Sequence, residues 1–171
     1  MNKLIFLALW AGDWTAPVAV LHELKPVVSY RARWTGEHLA VEARLEPGWH
    51  TFAMDNEKRA QEKLAGKMSL GIDRQTEIKL GEGLAAADGW LQSVPKDFSK
   101  PELRWFTWGF EEKALFVAKA RRDGKKEGHV EIRGQACTDT VCKNIDVSIV
   151  VPVGEGRAEG IDLRGLIPVG R

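Results

Sequence analysis

Along much of the chain, hydrophobic and polar residues alternate with a period of two. Val28, Tyr30, Ala32 and Trp34 interleave with Ser29, Arg31 and Arg33. After Thr35-Gly36-Glu37, the residues Leu39, Val41, Ala43 and Leu45 interleave with Glu42, Arg44 and Glu46. Successive side chains of a strand point to opposite faces, so this spacing predicts an antiparallel hairpin with one buried and one wet face. Pro47-Gly48 then turns the chain into Trp49-His50-Thr51-Phe52, where His50 and Phe52 share one parity and Trp49 and Thr51 the other. Further strands are expected at 69–72, 76–80, 114–120, 129–136 and 145–153.

The alternation breaks at 55–67, a charged stretch with Ala60 and Leu64 one helical turn apart and Asp55 or Asn56 placed to cap it. A short surface helix is predicted there, its charges forming a solvated face. Residues 81–104 are rich in Gly, Pro and charge and read as a long loop with one edge strand near 90–94. Trp105-Phe106-Thr107-Trp108 is an aromatic cluster ahead of the next strand. Short strands separated by turns every ~8–12 residues predict an all-β antiparallel sandwich with a short helical insertion. No repeat or low-complexity tract divides the chain. The expected domain is 27–153, preceded by an N-terminal segment (1–26) and followed by a Gly-rich tail (154–171) wrapping the outside.

Composition narrows the function. The chain has 171 residues, 44% hydrophobic and 29% charged, which suits one globular domain. Twenty-five Lys and Arg against 24 Asp and Glu leave a net charge of +1, so the basic excess that nucleic acid binding needs is missing. There is no apolar run of 18 residues to make a spanning helix. Met1-Asn2-Lys3 followed by the apolar residues 4–11 has the order of an export signal, which would place the protein in an oxidising compartment. No phosphate-binding glycine loop, serine elbow or paired-carboxylate signature supports nucleotide or hydrolase chemistry. His22, His38 and His129 are scattered without metal-ligand spacing, so no metal is expected.

The two cysteines, Cys137 and Cys142, enclose Thr138-Asp139-Thr140-Val141, a polar stretch suited to a hairpin tip. Cys137 shares the parity of Glu131, Arg133 and Gln135, and Cys142 that of Asn144, Asp146 and Ser148, so both thiols are expected on the polar side of the sheet. Opposed residues of such a hairpin approach closely enough for a disulfide. Three readings remain open on spacing alone: a redox-active pair, a structural staple, or two unrelated thiols.

The run Gln135-Ala136-Cys137-Thr138-Asp139-Thr140-Val141-Cys142, framed by strands, resembles the N-terminal periplasmic domain of the DsbD family of thiol:disulfide interchange proteins. Gly48-Trp49-His50-Thr51-Phe52 is similar to an early segment of that family, and 95–110 matches more weakly. The resemblance spans 27–153; the insertion at 55–67 departs from it, and no membrane or thioredoxin-like domain follows. It implies an immunoglobulin-like sandwich that carries a redox disulfide and needs no other cofactor. The implied partners are thioredoxin-like periplasmic oxidoreductases or a membrane electron-transfer protein. The rival is an interaction module with a structural hairpin disulfide.

By the same resemblance, Cys142 forms the intermolecular bond and Cys137 resolves it. Asp139 raises a nearby thiol's pKa or serves as a turn residue. His50 and Phe52 are implied beside the disulfide, with His50 tuning thiol ionisation. Glu102 is an acid candidate near the thiols. Leu103, Trp105, Phe106 and Trp108 fall where the family carries a covering loop, and Trp105 or Phe106 is the expected cover.

A bond closing a loop of six residues removes chain entropy worth only about 2 kcal/mol. Reduction is therefore expected to leave a folded domain. Thermal melts with and without reductant check this, and loss of cooperative unfolding on reduction would favour the staple.

Overall fold

The 28–45 hairpin forms as its periodicity requires. Strands β2 (Lys25–Trp34) and β3 (His38–Leu45) pair antiparallel, with Val28 opposite Leu45 and Trp34 opposite Leu39. The computed structural model describes residues 13–154 and 159–170, and the export-like residues 1–11 lie outside them. Before the hairpin comes β1 (Val18–His22); after it come β4 (His50–Phe52), helix α1 (Asn56–Leu64), β5 (Glu77–Leu80), β6 (Leu84–Ser93) and β7 (Lys96–Asp97). The chain continues through β8 (Trp108–Glu111), β9 (Lys113–Arg122), β10 (Glu127–Cys137), β11 (Cys142–Pro152) and β12 (Leu166–Pro168).

One sheet runs β1-β2-β3-β9-β6-β12 and the other β11-β10-β4-β8-β7, with β5 also paired to β10. Every pairing between these strands is antiparallel. The inward faces bury Tyr30, Leu39, Val41 and Phe116 against Val130, Ile132, Ile145 and Ile149. Phe110 and Phe116 meet edge to face at 5.5 Å across the two sheets. The architecture is an all-β immunoglobulin-like sandwich, with one short α-helix among the described residues.

Several local expectations are corrected. Residues 69–72 form no strand; they belong to an irregular segment between α1 and β5. The stretch expected as loop from 81 holds β6, which lies between β9 and β12 within its sheet. β6 is hard to read because Ala85, Ala86 and Ala87 give no alternation and its register shifts between Ala86 and Trp90. Trp108 opens β8, a strand in its own right. The sheets also reach past 27–153 on both sides, through β1 and through β12 on β6.

Helix α1 sits where its periodicity puts it, with Asp55 at the N-cap position. Asp55 is not part of a solvated face. Its carboxylate is buried, accepts hydrogen bonds from Gln92 Nε2 (2.8 Å) and the Gly170 N–H (3.2 Å), and pairs with Arg59 at 2.9 Å. Burial alone would raise its pKa, but these partners outweigh that and lower it. The insertion is thereby tied to β6 and to the C-terminal tail.

Strand β10 positions the site. It pairs with β11 along its length on one edge; on the other it pairs with β5 over 130–133 and with β4 over 136–137. β4 in turn pairs with β8, placing Gly109 opposite Phe52. A Cβ on Gly109 would lie 2.0 Å from the Thr51 carbonyl oxygen, a clash with backbone that no side-chain rotation relieves. Gly109→Ala is therefore expected to cost about 3 kcal/mol or more, the upper range for overpacking. Urea denaturation measures it, and a loss within experimental error would mean β4 and β8 have room to separate.

Candidate functional site

Cys137 and Cys142 face each other at the closed end of the β10–β11 hairpin and are joined by a disulfide, with Cα atoms 4.1 Å apart. That spacing is close to the narrow type of antiparallel pair, about 4.5 Å, so the ladder itself brings the sulfurs together. The tip beyond them is fixed by Thr138. Its N–H donates to the Val141 carbonyl (2.7 Å), and its hydroxyl oxygen accepts from the N–H groups of Val141 (3.1 Å) and Thr140 (3.3 Å). Thr138, not Asp139, supplies the turn bonds.

Both cysteines stand on the parity opposite to the core, as expected, but their burial differs. Cys142 is exposed, whereas Cys137 is only 3% exposed although it lies outside the sandwich core. Its neighbours explain this. Cys137 pairs with His50 on β4, and residues opposed in a ladder share a face. His50 is half-buried, edge-on to Phe52 at 5.3 Å and tilted against Phe98 at 5.0 Å. Phe52 is 1% exposed and likewise outside the main core. A second, smaller apolar layer therefore covers the outer face of β4 at the disulfide end.

The disulfide borders a cavity of about 460 Å³ whose walls include His50, Asp73, Phe98, Trp105 and Asp139. The Trp105 indole N–H donates to Asp73 Oδ2 at 2.7 Å. The Lys100 ammonium lies 6.0 Å from the centroid of the same indole ring. Glu111, opposite His50 on β8, lines the cavity too. Burial lowers the His50 pKa, against the opposing pull of the Asp73, Asp139 and Glu111 carboxylates.

The residues singled out from sequence divide accordingly. Cys137, Cys142, Asp139, His50 and Trp105 share the cavity, and Phe52 packs beneath His50 without lining it. Glu102 and Leu103 are exposed in a 3-10 turn (Pro101–Leu103) and do not line it. Phe106 is half-buried and also stands off the cavity wall. Phe98, Asp73, Lys100 and Glu111 were not anticipated. Phe98 is a lone aromatic in a stretch expected to be loop, and Asp73 follows the strand expected at 69–72.

The fold is similar to the N-terminal periplasmic domain of ScsB from Proteus mirabilis, with a TM-score of 0.56 and 17% identity over 83% of this chain and 52% of that one. It is more distantly similar to the N-terminal domain of DsbD from Neisseria meningitidis in the reduced form, with a TM-score of 0.41 and 11% identity over 75% of this chain and 85% of that one. The chain spans about half the length of the ScsB structure. No protein-family model matches the sequence, and no curated protein does either. At this identity the ScsB likeness shows the fold, and it is the sandwich that the resemblance to the DsbD family implied.

The lowered His50 pKa carries a sign. The unfolded chain, with an imidazole pKa of about 6.5, binds the proton more readily than the folded one. His50 is therefore least costly above that pH and destabilises increasingly as pH falls below it. The loss of stability between pH 7.5 and 5 is expected to be smaller in His50→Gln than in the parent. Urea midpoints at the two pH values test this, and equal losses in both proteins would show that His50 titrates alike folded and unfolded.

Proposed function

We propose that the chain is a thiol:disulfide exchange domain acting in the periplasm, with Cys137 and Cys142 as the reacting pair. The observation that carries this is the unequal burial of two bonded cysteines that both lie outside the core. A disulfide needed only for packing has no reason to leave one cysteine open to solvent at the edge of an aromatic-walled cavity. The ScsB structure is described as a periplasmic domain, and a persistent disulfide suits such a compartment.

The electron balance is simple. A thiolate of a partner dithiol attacks the Cys142 sulfur, the Cys137–Cys142 bond breaks, and Cys137 leaves as a thiolate. The partner's second thiolate then attacks its own sulfur in the mixed disulfide and releases Cys142. Two electrons pass to this domain, and the partner becomes oxidised. The exposure of Cys142 and the burial of Cys137 support this order of events. In the reverse direction Cys142 attacks and Cys137 resolves. The partners that fit are thioredoxin-like oxidoreductases or a membrane electron-transfer protein, and the two sulfurs hold the electrons without a metal or organic cofactor.

The burial of Cys137 also favours a second reading, an interaction module with a stapled hairpin. A redox titration separates the two. The exchange reading expects a potential above about −300 mV, whereas a structural disulfide lies below it. The Cys142 thiolate of Cys137→Ala should also attack the disulfide of an oxidised, exported thioredoxin-like oxidoreductase, releasing that partner's second cysteine as a thiolate and leaving a mixed disulfide that this domain has no second thiol to resolve. Absence of that adduct together with a potential below the threshold would leave the staple.

A further inference from the structure

The arm formed by residues 98–107 carries Trp105 to the cavity, and little within the arm fixes where it points. Its strands are joined by hydrogen bonds from the Phe98 N–H to the Thr107 carbonyl (3.0 Å) and by a reciprocal pair between Lys100 and Trp105 (2.7 and 3.2 Å). Its tip is the exposed turn Pro101–Leu103, followed by Arg104 at φ 50. A two-stranded hairpin alone is marginally stable in water, so such an arm takes its orientation from what it touches.

What it touches is the insertion between β4 and β5. At the root, the fully buried Asn56 accepts from the Trp108 N–H (2.7 Å) and the Thr107 hydroxyl (3.3 Å) through Oδ1. The same side chain donates from Nδ2 to the Asp73 carbonyl oxygen at 3.0 Å. Near the tip, the Ser69 hydroxyl donates to the Arg104 carbonyl at 2.6 Å. Between them lies the 2.7 Å bond from the Trp105 indole to Asp73 Oδ2. It alone among these contacts grips a ring that walls the disulfide cavity, and its acceptor is a carboxylate, the stronger class of partner.

We propose that Asp73 is a positioning residue that holds Trp105 across the approach to the disulfide, so that the insertion sets how readily the sulfurs are attacked. The inference rests on the exchange function proposed above and adds a residue to it. Asn56 fixes the Asp73 backbone relative to the root of the arm, and Asp73 then fixes the indole. A partner that displaces Trp105 must break this bond.

The test is the rate at which excess dithiothreitol reduces the oxidised protein. Asp73→Ala is expected to react on the order of tenfold faster, the scale for losing one hydrogen bond to a charged group. Trp105→Ala should react at least as fast, and adding Asp73→Ala to it should bring no further gain. Asp73→Asn keeps a carbonyl acceptor without the charge and should stay within about threefold of the parent. Trp105→Phe keeps the ring, removes the donor and tests the same bond from its other end, which covers a failure of Asp73→Ala to fold. In the parent, the Trp105 indole N–H resonance should shift on substitution of Asp73 while backbone amides of β10 do not.

If Trp105→Ala is fast but Asp73→Ala and Trp105→Phe match the parent, Asp73 does not hold the ring and the inference falls while the exchange function stands. An Asp73→Asn variant as fast as Asp73→Ala would mean that charge beside His50 matters and not the bond, which also overturns it. Unchanged rates in every variant would remove Trp105 as a cover altogether. None of these rates decides the exchange function itself, which stands or falls by the redox potential and the trapped adduct.

Discussion

The site depends on one short stretch of ladder, the pairing of Ala136 and Cys137 with Thr51 and His50. Opposed residues share a face, so this register sends Ala136 and Thr51 inward and brings Cys137 and His50 together outside. A one-residue slip of β4 would turn Thr51 outward and bury the imidazole in the sandwich. Two contacts oppose the slip. The Thr51 hydroxyl donates to the Gln135 carbonyl at 2.9 Å, and Gly109 allows β8 to approach β4 more closely than any side chain permits. The burial of Thr51 makes that hydrogen bond matter, since an unpaired hydroxyl there would carry a desolvation cost.

Outside this ladder the molecule builds a second layer that the sandwich does not require. Phe52, His50 and Phe98 pack ring against ring over the end of the sheet where the disulfide lies, and Trp105 walls the cavity beside them. This layer accounts for the burial of Cys137 despite its polar-side parity. The chemical consequence is an asymmetry between two otherwise equivalent sulfurs. An incoming thiolate must align with the S–S bond, and the sulfur it reaches is decided by access as much as by ionisation. In the exchange reaction proposed above, burial of Cys137 would direct attack to Cys142 before any difference in pKa is considered.

The strands that alternate strongly were legible from sequence, and so were the helical insertion and the cysteine hairpin. Each carries its signal locally: Val28 to Leu45 by alternation, Ala60 and Leu64 by helical spacing, the cysteines by their separation. What escaped was encoded by turns made of unusual residues. The β1–β2 turn places Glu23 and Leu24 at φ 48 and 65, where Asn and Gly are the ordinary signals. The change from β8 to β9 is made by the single residue Glu112 at φ 60, again without a glycine. Tertiary pairing holds these residues in a region that local preference disfavours, so no sequence window reveals them. Asp73 and Phe98 were missed for a related reason. Their role comes from meeting His50 and Trp105 across long separations in the chain, and their own neighbours in sequence are unremarkable.

The insertion shows why a polar hub can specify geometry better than an apolar contact. Asn56 is fully buried and uses both its acceptor and its amide donor, joining the backbone at Asp73 to the backbone at Trp108. An apolar residue of similar size would fill the same space but would tolerate sliding of the arm along the insertion, because dispersion contacts are weakly directional. A buried amide left unpaired is costly, so small displacements of the arm are resisted as soon as they stretch these bonds. Rigidity at the root and a single directional bond at Trp105 leave an arm that is fixed by several bonds where it joins the domain and held by one carboxylate where its ring walls the disulfide cavity. That combination suits selective access. With Trp105 placed as proposed, a small displacement at the ring would open the approach to the disulfide, while β4 and the His50–Cys137 pairing stay in register.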